Sequence, residues 1–140
     1  MHGLQRFLDA QAPVYATVCA ELRAGRKQSH WMWFIFPQLR GLGRSAMAQH
    51  YGLADRAEAL AYHRHPVLGA RLRACLQLLL AHADRSAVEI LGEIDALKLC
   101  SCATLFAAVA PEEPLYAQVL QRFCGGRPDA RTLALLQPAP

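Results

Sequence analysis

Between Gly25 and Ser45 the chain gathers the side chains best suited to chemistry. Lys27 and Arg44 can neutralise a phosphate or a carboxylate. Trp31 and Trp33 each offer a flat face on which a base or sugar ring can stack. His30 is a group that could react, and Gln38 supplies an amide for hydrogen bonding. The run Gly41-Leu42-Gly43-Arg44-Ser45 leads into a helix N-terminus, where free N–H groups and the helix dipole favour an anion. It is not a P-loop, because the spacing and the Gly-Lys-Ser/Thr ending are absent. The competing reading is that the aromatic side chains are core. Phe34 and Ile35 read first that way, whereas the two tryptophans, flanked by His30 and Gln38, stand between core and ligand platform.

A second stretch runs from Asp95 to Thr104. On a helix, Lys98, Ser101 and Thr104 fall three residues apart and share a face. This polar stripe interrupts an otherwise apolar helix. Facing a cleft, Lys98 holds an anion, or activates Ser101 as a nucleophile if its own amine is neutral. The alternative is a snorkelling lysine and hydroxyls bonded back to helix carbonyls. His63, His65 and His82 do not have the spacing of a metal site, and no metal is expected. Asp9, Glu58 and Glu93 read as surface or capping charges. No paired carboxylates, Gly-x-Ser-x-Gly or Cys–His pattern points to a hydrolase, and no cofactor-binding motif is present.

Composition sets the frame. With 140 residues, 54% of them hydrophobic and 19% charged, the chain is about one domain long and can bury a core. No apolar run approaches the ~20 residues of a membrane span; the longest is Trp31 to Pro37. The N-terminal hexapeptide Met1–Arg6 lacks the pattern of a signal peptide, so a cytoplasmic location and no membrane association are expected. The five cysteines include no Cys-x-x-Cys pair, and Cys100 and Cys102 are too close for a zinc knuckle. They read as reduced, mostly buried thiols. The net charge is +4 and the pI about 9.0. From Leu22 to Ala54 there is no acidic residue, while Arg23, Arg26, Lys27, Arg40 and Arg44 all fall there. A segment of one sign suits an anionic partner.

The elements that must position these groups read as helices throughout. Leu4, Phe7, Leu8 and Gln11 fit a short first helix, and Val14, Tyr15, Val18 and Leu22 a second that Gly25 closes. The segment from His30 to Gln38 has strand-like composition but nothing to pair with, so it is expected as a buried helix or irregular turn ending near Pro37. Ser45 caps a helix through about Tyr51. Asp55 with Glu58, and Ser86 with Glu89, read as capping boxes. His65-Pro66 breaks one helix and starts the next, which carries Leu68, Leu72, Leu76, Leu79 and Leu80. Gly92 closes the helix begun at Ser86. Asp95 is expected to cap a helix running to Pro111, Leu115 to Phe123 forms the next amphipathic face, and Asp129 caps the last helix. The whole, residues 1–140, is expected to be all-α, a single irregular orthogonal domain of about seven to nine short helices.

Several runs resemble one bacterial family, domain of unknown function 1810: Arg6-Phe7 and Gln11, Gly25-Arg26-Lys27, and Ser29 through Gln38 followed by Gly41-Leu42-Gly43. Further matches are His65-Pro66 with Leu68-Gly69 and Arg71-Leu72, Lys98-Leu99 with Ser101, Thr104-Leu105-Phe106, and Phe123-Cys124-Gly125-Gly126 with Asp129. The resemblance implies an all-helical domain and brings no activity with it. Some members are called calpastatin-like, a description that suits a disordered inhibitor and not this chain. Cys102 departs from the serine expected after Ser101. A fainter likeness, through Gly43-Arg44 and His65-Pro66-Val67-Leu68, is to the family that removes ADP-ribosyl groups from nucleobases; it turns the ligand expectation toward nucleotides. The leading expectation is therefore a basic, tryptophan-lined pocket that binds or processes a phosphorylated, nucleotide-like small molecule. Trp31 or Trp33 would stack the ring, Lys27, Arg44 and Lys98 would hold phosphate, Gln38 would line the site, and His30 or Ser101 would be the reactive group. The alternatives are an interaction module for nucleic acid (not favoured) or an acidic protein, and a structural protein. The sequence leaves the oligomeric state open.

Overall fold

Local signals set most of the helix boundaries. In the computed structural model, which describes residues 3–137, Ser45, Asp55, Ser86 and Asp129 each accept the backbone N–H three residues on and open helices. These are α4 (Ala46–Tyr51), α5 (Arg56–Arg64), α7 (Ala87–Leu91) and α10 (Ala130–Leu136). Such caps satisfy N–H groups that no carbonyl of the helix can reach. Only Ser86 with Glu89 forms the full reciprocal box. Glu58 accepts instead from Ala54 N and from Arg6, so the second half of the box expected at Asp55 is not made. Gly25 ends α2 (Tyr15–Ala24) with a left-handed φ of 73°, a conformation cheap for glycine.

Ten helices and no strand form among the described residues. That is one more than the seven to nine expected, and the count includes α3 (Met32–Ile35), a single turn in the segment whose composition left helix and turn both open. The remaining helices are α1 (Gln5–Gln11), α6 (Leu68–Leu80), α8 (Glu93–Val109) and α9 (Pro114–Phe123). One correction concerns Asp95. The helix starts two residues before it, behind Gly92, so Asp95 lies within the first turn, where its charge still suits the dipole. Of the N-terminal hexapeptide, Met1 and His2 lie outside the described residues. Among the described residues no helix is long and apolar enough to cross a membrane.

α8 is apolar on most sides because α5, α7, α9 and α10 all pack on it. An aromatic chain crosses the core, from Phe7 to Tyr62 at 5.0 Å, Tyr62 to Phe106 at 5.6 Å and Phe106 to Tyr116 at 5.4 Å. Trp31, Phe36 and Leu72 are buried beside it. Gln11, also buried, donates to Phe34 O at 2.7 Å and to the Tyr62 hydroxyl at 3.0 Å. It thereby fastens α3 to the core, since a buried amide without partners would be costly.

Candidate functional site

The tryptophan segment is shaped by one carboxylate. Glu21, near the end of α2, accepts from Gln28 N (2.7 Å), Ser29 N (3.0 Å), Ser29 Oγ (2.6 Å) and Trp31 Nε1 (3.0 Å). Trp31 is thus drawn into the core with its only polar atom satisfied. Burial pushes the Glu21 carboxyl up, but these hydrogen bonds outweigh it and bring it down to about 2 from an ordinary 4.5. A depressed acid contributes stability above its unfolded pKa and loses it as pH falls toward the folded value. Glu21→Gln is therefore expected to lower stability near pH 7 by on the order of 1 kcal/mol, after allowance for solvent screening. The gap to wild type should close between about pH 5 and pH 2. Melting temperatures of both proteins across that range check this, and a gap that widens on acidification would contradict it.

Trp33, two residues further on, faces the opposite way. It lines a cleft of about 520 Å³ between α3–α4, α8 and the segment joining α9 to α10. The first wall carries Trp33, Gln38, Leu42 and Tyr51. It is held by Arg40 N to Leu53 O (2.7 Å) and Leu53 N to Gln38 O (2.9 Å), which pin the Gln38–Arg40 strip to the chain after α4. The second wall carries Ile94, Leu97, Lys98 and Ser101. The third carries Cys124, Arg127, Asp129 and Arg131.

Three cations therefore face one carboxylate in the cleft, and that carboxylate is already engaged. Asp129 accepts from Thr132 N and Oγ1 at the start of α10. Arg127 and Arg131 enter no ion pair among the described residues. The Lys98 ammonium stands 3.6 Å from the Trp33 ring centroid and 3.6 Å from Asp95. A cation over an indole is held by the ring quadrupole, so lysine and tryptophan are fixed side by side. Asp95 also pairs with Lys27 at 3.0 Å. With two ammonium groups on one carboxylate, the edge keeps a net positive charge.

The residues singled out from the sequence divide clearly. Trp33, Gln38, Lys98 and Ser101 meet in the cleft, although the first two lie some sixty residues from the others. Lys27 and His30 lie outside it, in a smaller hollow of about 110 Å³ that shares Trp33 and Lys98. Trp31 is buried, packed edge-on against Phe36 and with the Lys27 ammonium 5.1 Å from its ring centroid, and lines neither hollow. Arg44 is exposed and absent from the lining of either hollow. Ser101 donates to Leu97 O at 3.3 Å and Thr104 to Cys100 O at 2.7 Å. The hydroxyls are thus bonded back to the helix carbonyls, and the Lys98 ammonium is placed on Trp33 and Asp95.

The cysteines require a correction. Cys100 and Cys124 are joined by a disulfide, whereas Cys19, Cys75 and Cys102 are free and buried. Both bridged residues line the cleft. Also missed were Glu21, Tyr51, Arg127 and Arg131. Glu21 did leave a sign in the sequence, as the last acid before the acid-free segment. No group of three or more potential metal ligands comes together among the described residues.

Residues 1–136 match the family model DUF1810, a protein of unknown function. The fold is similar to the crystal structure of the conserved hypothetical protein Rv1873 from Mycobacterium tuberculosis, with 51% sequence identity, coverage of 97% of each chain and a TM-score of 0.95. No curated protein matches the chain.

Proposed function

The chain belongs to the DUF1810 family of proteins of unknown function, and we propose that its cleft binds, or binds and processes, a phosphorylated nucleotide-like small molecule of the ADP-ribose kind. The observation that carries this reading is the convergence of Trp33, Gln38 and Lys98 with Arg127 and Arg131 on one hollow. Its size fits a drug-sized ligand, and a mainly apolar lining with a few placed polar groups is what such ligands use. Arg127 and Arg131 hold the phosphates, because planar guanidinium groups without a carboxylate partner lose little by turning to an anion. Lys98 adds charge, Trp33 supplies the aromatic surface, and Gln38 reads polar edges. We take the protein's setting to be the cytoplasm.

Thermal-shift measurements with nucleotides, sugar phosphates and ADP-ribose test this. A ligand at about a hundred times its Kd stabilises by about 2.7 kcal/mol, roughly 5–10 °C in a chain of this size. Lys98→Ala and Arg127→Ala should each remove most of that shift; the unliganded melting point should stay nearly unchanged in Arg127→Ala and fall slightly in Lys98→Ala, which also loses its contacts with Trp33 and Asp95. Arg44→Ala, outside the cleft, should keep the shift. If no phosphorylated compound moves the melting temperature, the reading fails.

A second reading rests on Ile94 and Leu97, which are 71% and 72% exposed at the cleft edge. Large apolar side chains left in water beside cations suit an acidic protein partner. Salt-sensitive association with an acidic protein, without any small-molecule shift, would favour it.

A further inference from the structure

The fold separates the five cysteines into two kinds. Cys19, Cys75 and Cys102 are free and buried. Burial pushes the Cys75 thiol up to about 12 and the Cys102 thiol well above its ordinary value, and protonated thiols of this kind are inert. Cys100 and Cys124 are only partly covered, and both line the cleft wall. The same cleft is lined by Lys98, Arg127 and Arg131 and by one carboxylate, Asp129. Cations of this sort attract anionic molecules and favour a thiolate leaving group. A disulfide with this setting, in a chain expected to be cytoplasmic, matches the exchangeable kind and not the structural kind.

We propose that Cys100–Cys124 is a thiol-exchange site, open through the cleft to a small carboxylate-bearing thiol such as glutathione. In the first step the thiolate of the small molecule attacks one cysteine sulfur. A mixed disulfide forms, the Cys100–Cys124 bond breaks, and the other cysteine leaves as a thiolate. A second small thiolate attacks the mixed disulfide at the sulfur of the small molecule. It releases the remaining cysteine thiolate and the oxidised dimer of the small thiol. Two electrons pass from the two small thiols to the protein disulfide, and the reverse sequence restores the bond.

The bond bears on the cleft because of what it ties. Cys100 belongs to α8, and Cys124 ends α9 immediately before the segment that carries Arg127 and leads into α10, where Arg131 lies. That segment keeps other anchors when the bond opens, among them Asp129 N to Thr104 Oγ1 at 2.7 Å and Gly126 N to Leu120 O at 2.9 Å. Reduction therefore loosens the arginine wall without unfolding it. The exchange does not depend on the ligand reading above and can be tested without any phosphorylated compound.

The native protein, purified without reductant, is treated with glutathione and with 2-mercaptoethanol, and intact mass and peptide mapping follow the products. The expected result is exchange from the folded state. Adducts fall on Cys100 or Cys124 alone, and glutathione reacts about tenfold faster than the neutral thiol at low salt, an advantage lost at high salt. Cys124→Ser should leave Cys100 as a thiol that takes up one glutathione from oxidised glutathione, while Cys102 does not react. Loss of the bond should lower the melting temperature by roughly 10 °C, so the wild-type exchange remains the primary measurement if this variant folds poorly. Three results would each overturn the proposal: a purified protein with no disulfide, exchange only in denaturant, or equal labelling of Cys19, Cys75 and Cys102.

Discussion

Gly69→Ala is expected to destabilise the protein by about 3 kcal/mol, the upper end for overpacking, although the same change in an ordinary helix interior stabilises by ~1 kcal/mol. The inversion of sign comes from the turn before α6. His65 and Pro66 reverse the chain, and the His65 ring Nδ1 accepts from Val67 N (3.1 Å) and Leu68 N (3.2 Å), standing in for a cap. The reversal is so tight that a methyl group at Gly69 would lie 2.0 Å from the carbonyl oxygen of His63 and 2.9 Å from its carbon. Both atoms are backbone, so no rotamer change gives relief. The α5–α6 hairpin must open by roughly 1 Å in an interior packed too densely to absorb it. α6 carries Leu68, Leu72, Cys75, Leu76 and Leu79 into the core, so the displacement spreads. Calorimetry should show the melting temperature of Gly69→Ala reduced by roughly 10 °C. A variant as stable as wild type would mean that the turn relaxes freely.

That turn also shows where sequence reading succeeds and where it stops. His65-Pro66 is a local signal, and it marks the helix break correctly because proline's missing donor and ring clash act within a few residues. The caps at Ser45, Ser86 and Asp129 are legible for the same reason. The need for glycine at 69 is not, since it depends on a carbonyl brought close only by the completed hairpin. Asp95 illustrates a conflict of signals. A carboxylate before an apolar periodic run reads as a cap, but its partners are Lys98 one turn on and Lys27, which lies 68 positions back. Trp31 and Trp33 are equivalent on paper. Glu21 decides between them by taking the Trp31 indole N–H, and Trp33 then turns toward Lys98. The cleft was half legible in consequence, because residue types told which groups suit an anion while tertiary contacts chose among them. They placed Arg127 and Arg131 where Arg44 was expected. The disulfide was illegible for a further reason: an argument from compartment treats all thiols alike, whereas bond formation depends on which two Cα atoms are brought within reach, here 5.9 Å apart.

The Arg6–Glu58 pair is the second place where one substitution should have a large effect. Arg6 Nη2 reaches Glu58 Oε1 at 3.2 Å and Gly52 O at 3.1 Å, and Arg6 Nε reaches His50 O at 2.7 Å. Glu58 Oε1 also accepts from Ala54 N at 2.8 Å. The pair therefore ties α1, the end of α4 and the start of α5 together, with side chains only 16% and 7% exposed. Removing one member of such a pair leaves the other charge desolvated, and Glu58→Ala is expected to cost about 3 kcal/mol at pH 7. Replacing both, as in Arg6→Met with Glu58→Leu, should cost less than Glu58→Ala alone, because no charge is then left without a partner. Acid supplies the control for electrostatics. Burial pushes the Glu58 carboxyl up, but the Arg6 hydrogen bond, the Ala54 N–H and the Arg6 and Arg40 charges outweigh it, so it is held below its ordinary 4.5. A depressed acid contributes above its unfolded pKa and loses that contribution as pH falls through the folded value. The penalty for Glu58→Ala should accordingly be full at neutral pH and shrink once the medium falls below the ordinary carboxylate range. Urea denaturation of both proteins at pH 7 and again near pH 3 separates the causes. A penalty unchanged by acid would assign the effect to lost packing around the Glu58 side chain and leave the ion pair without a net role.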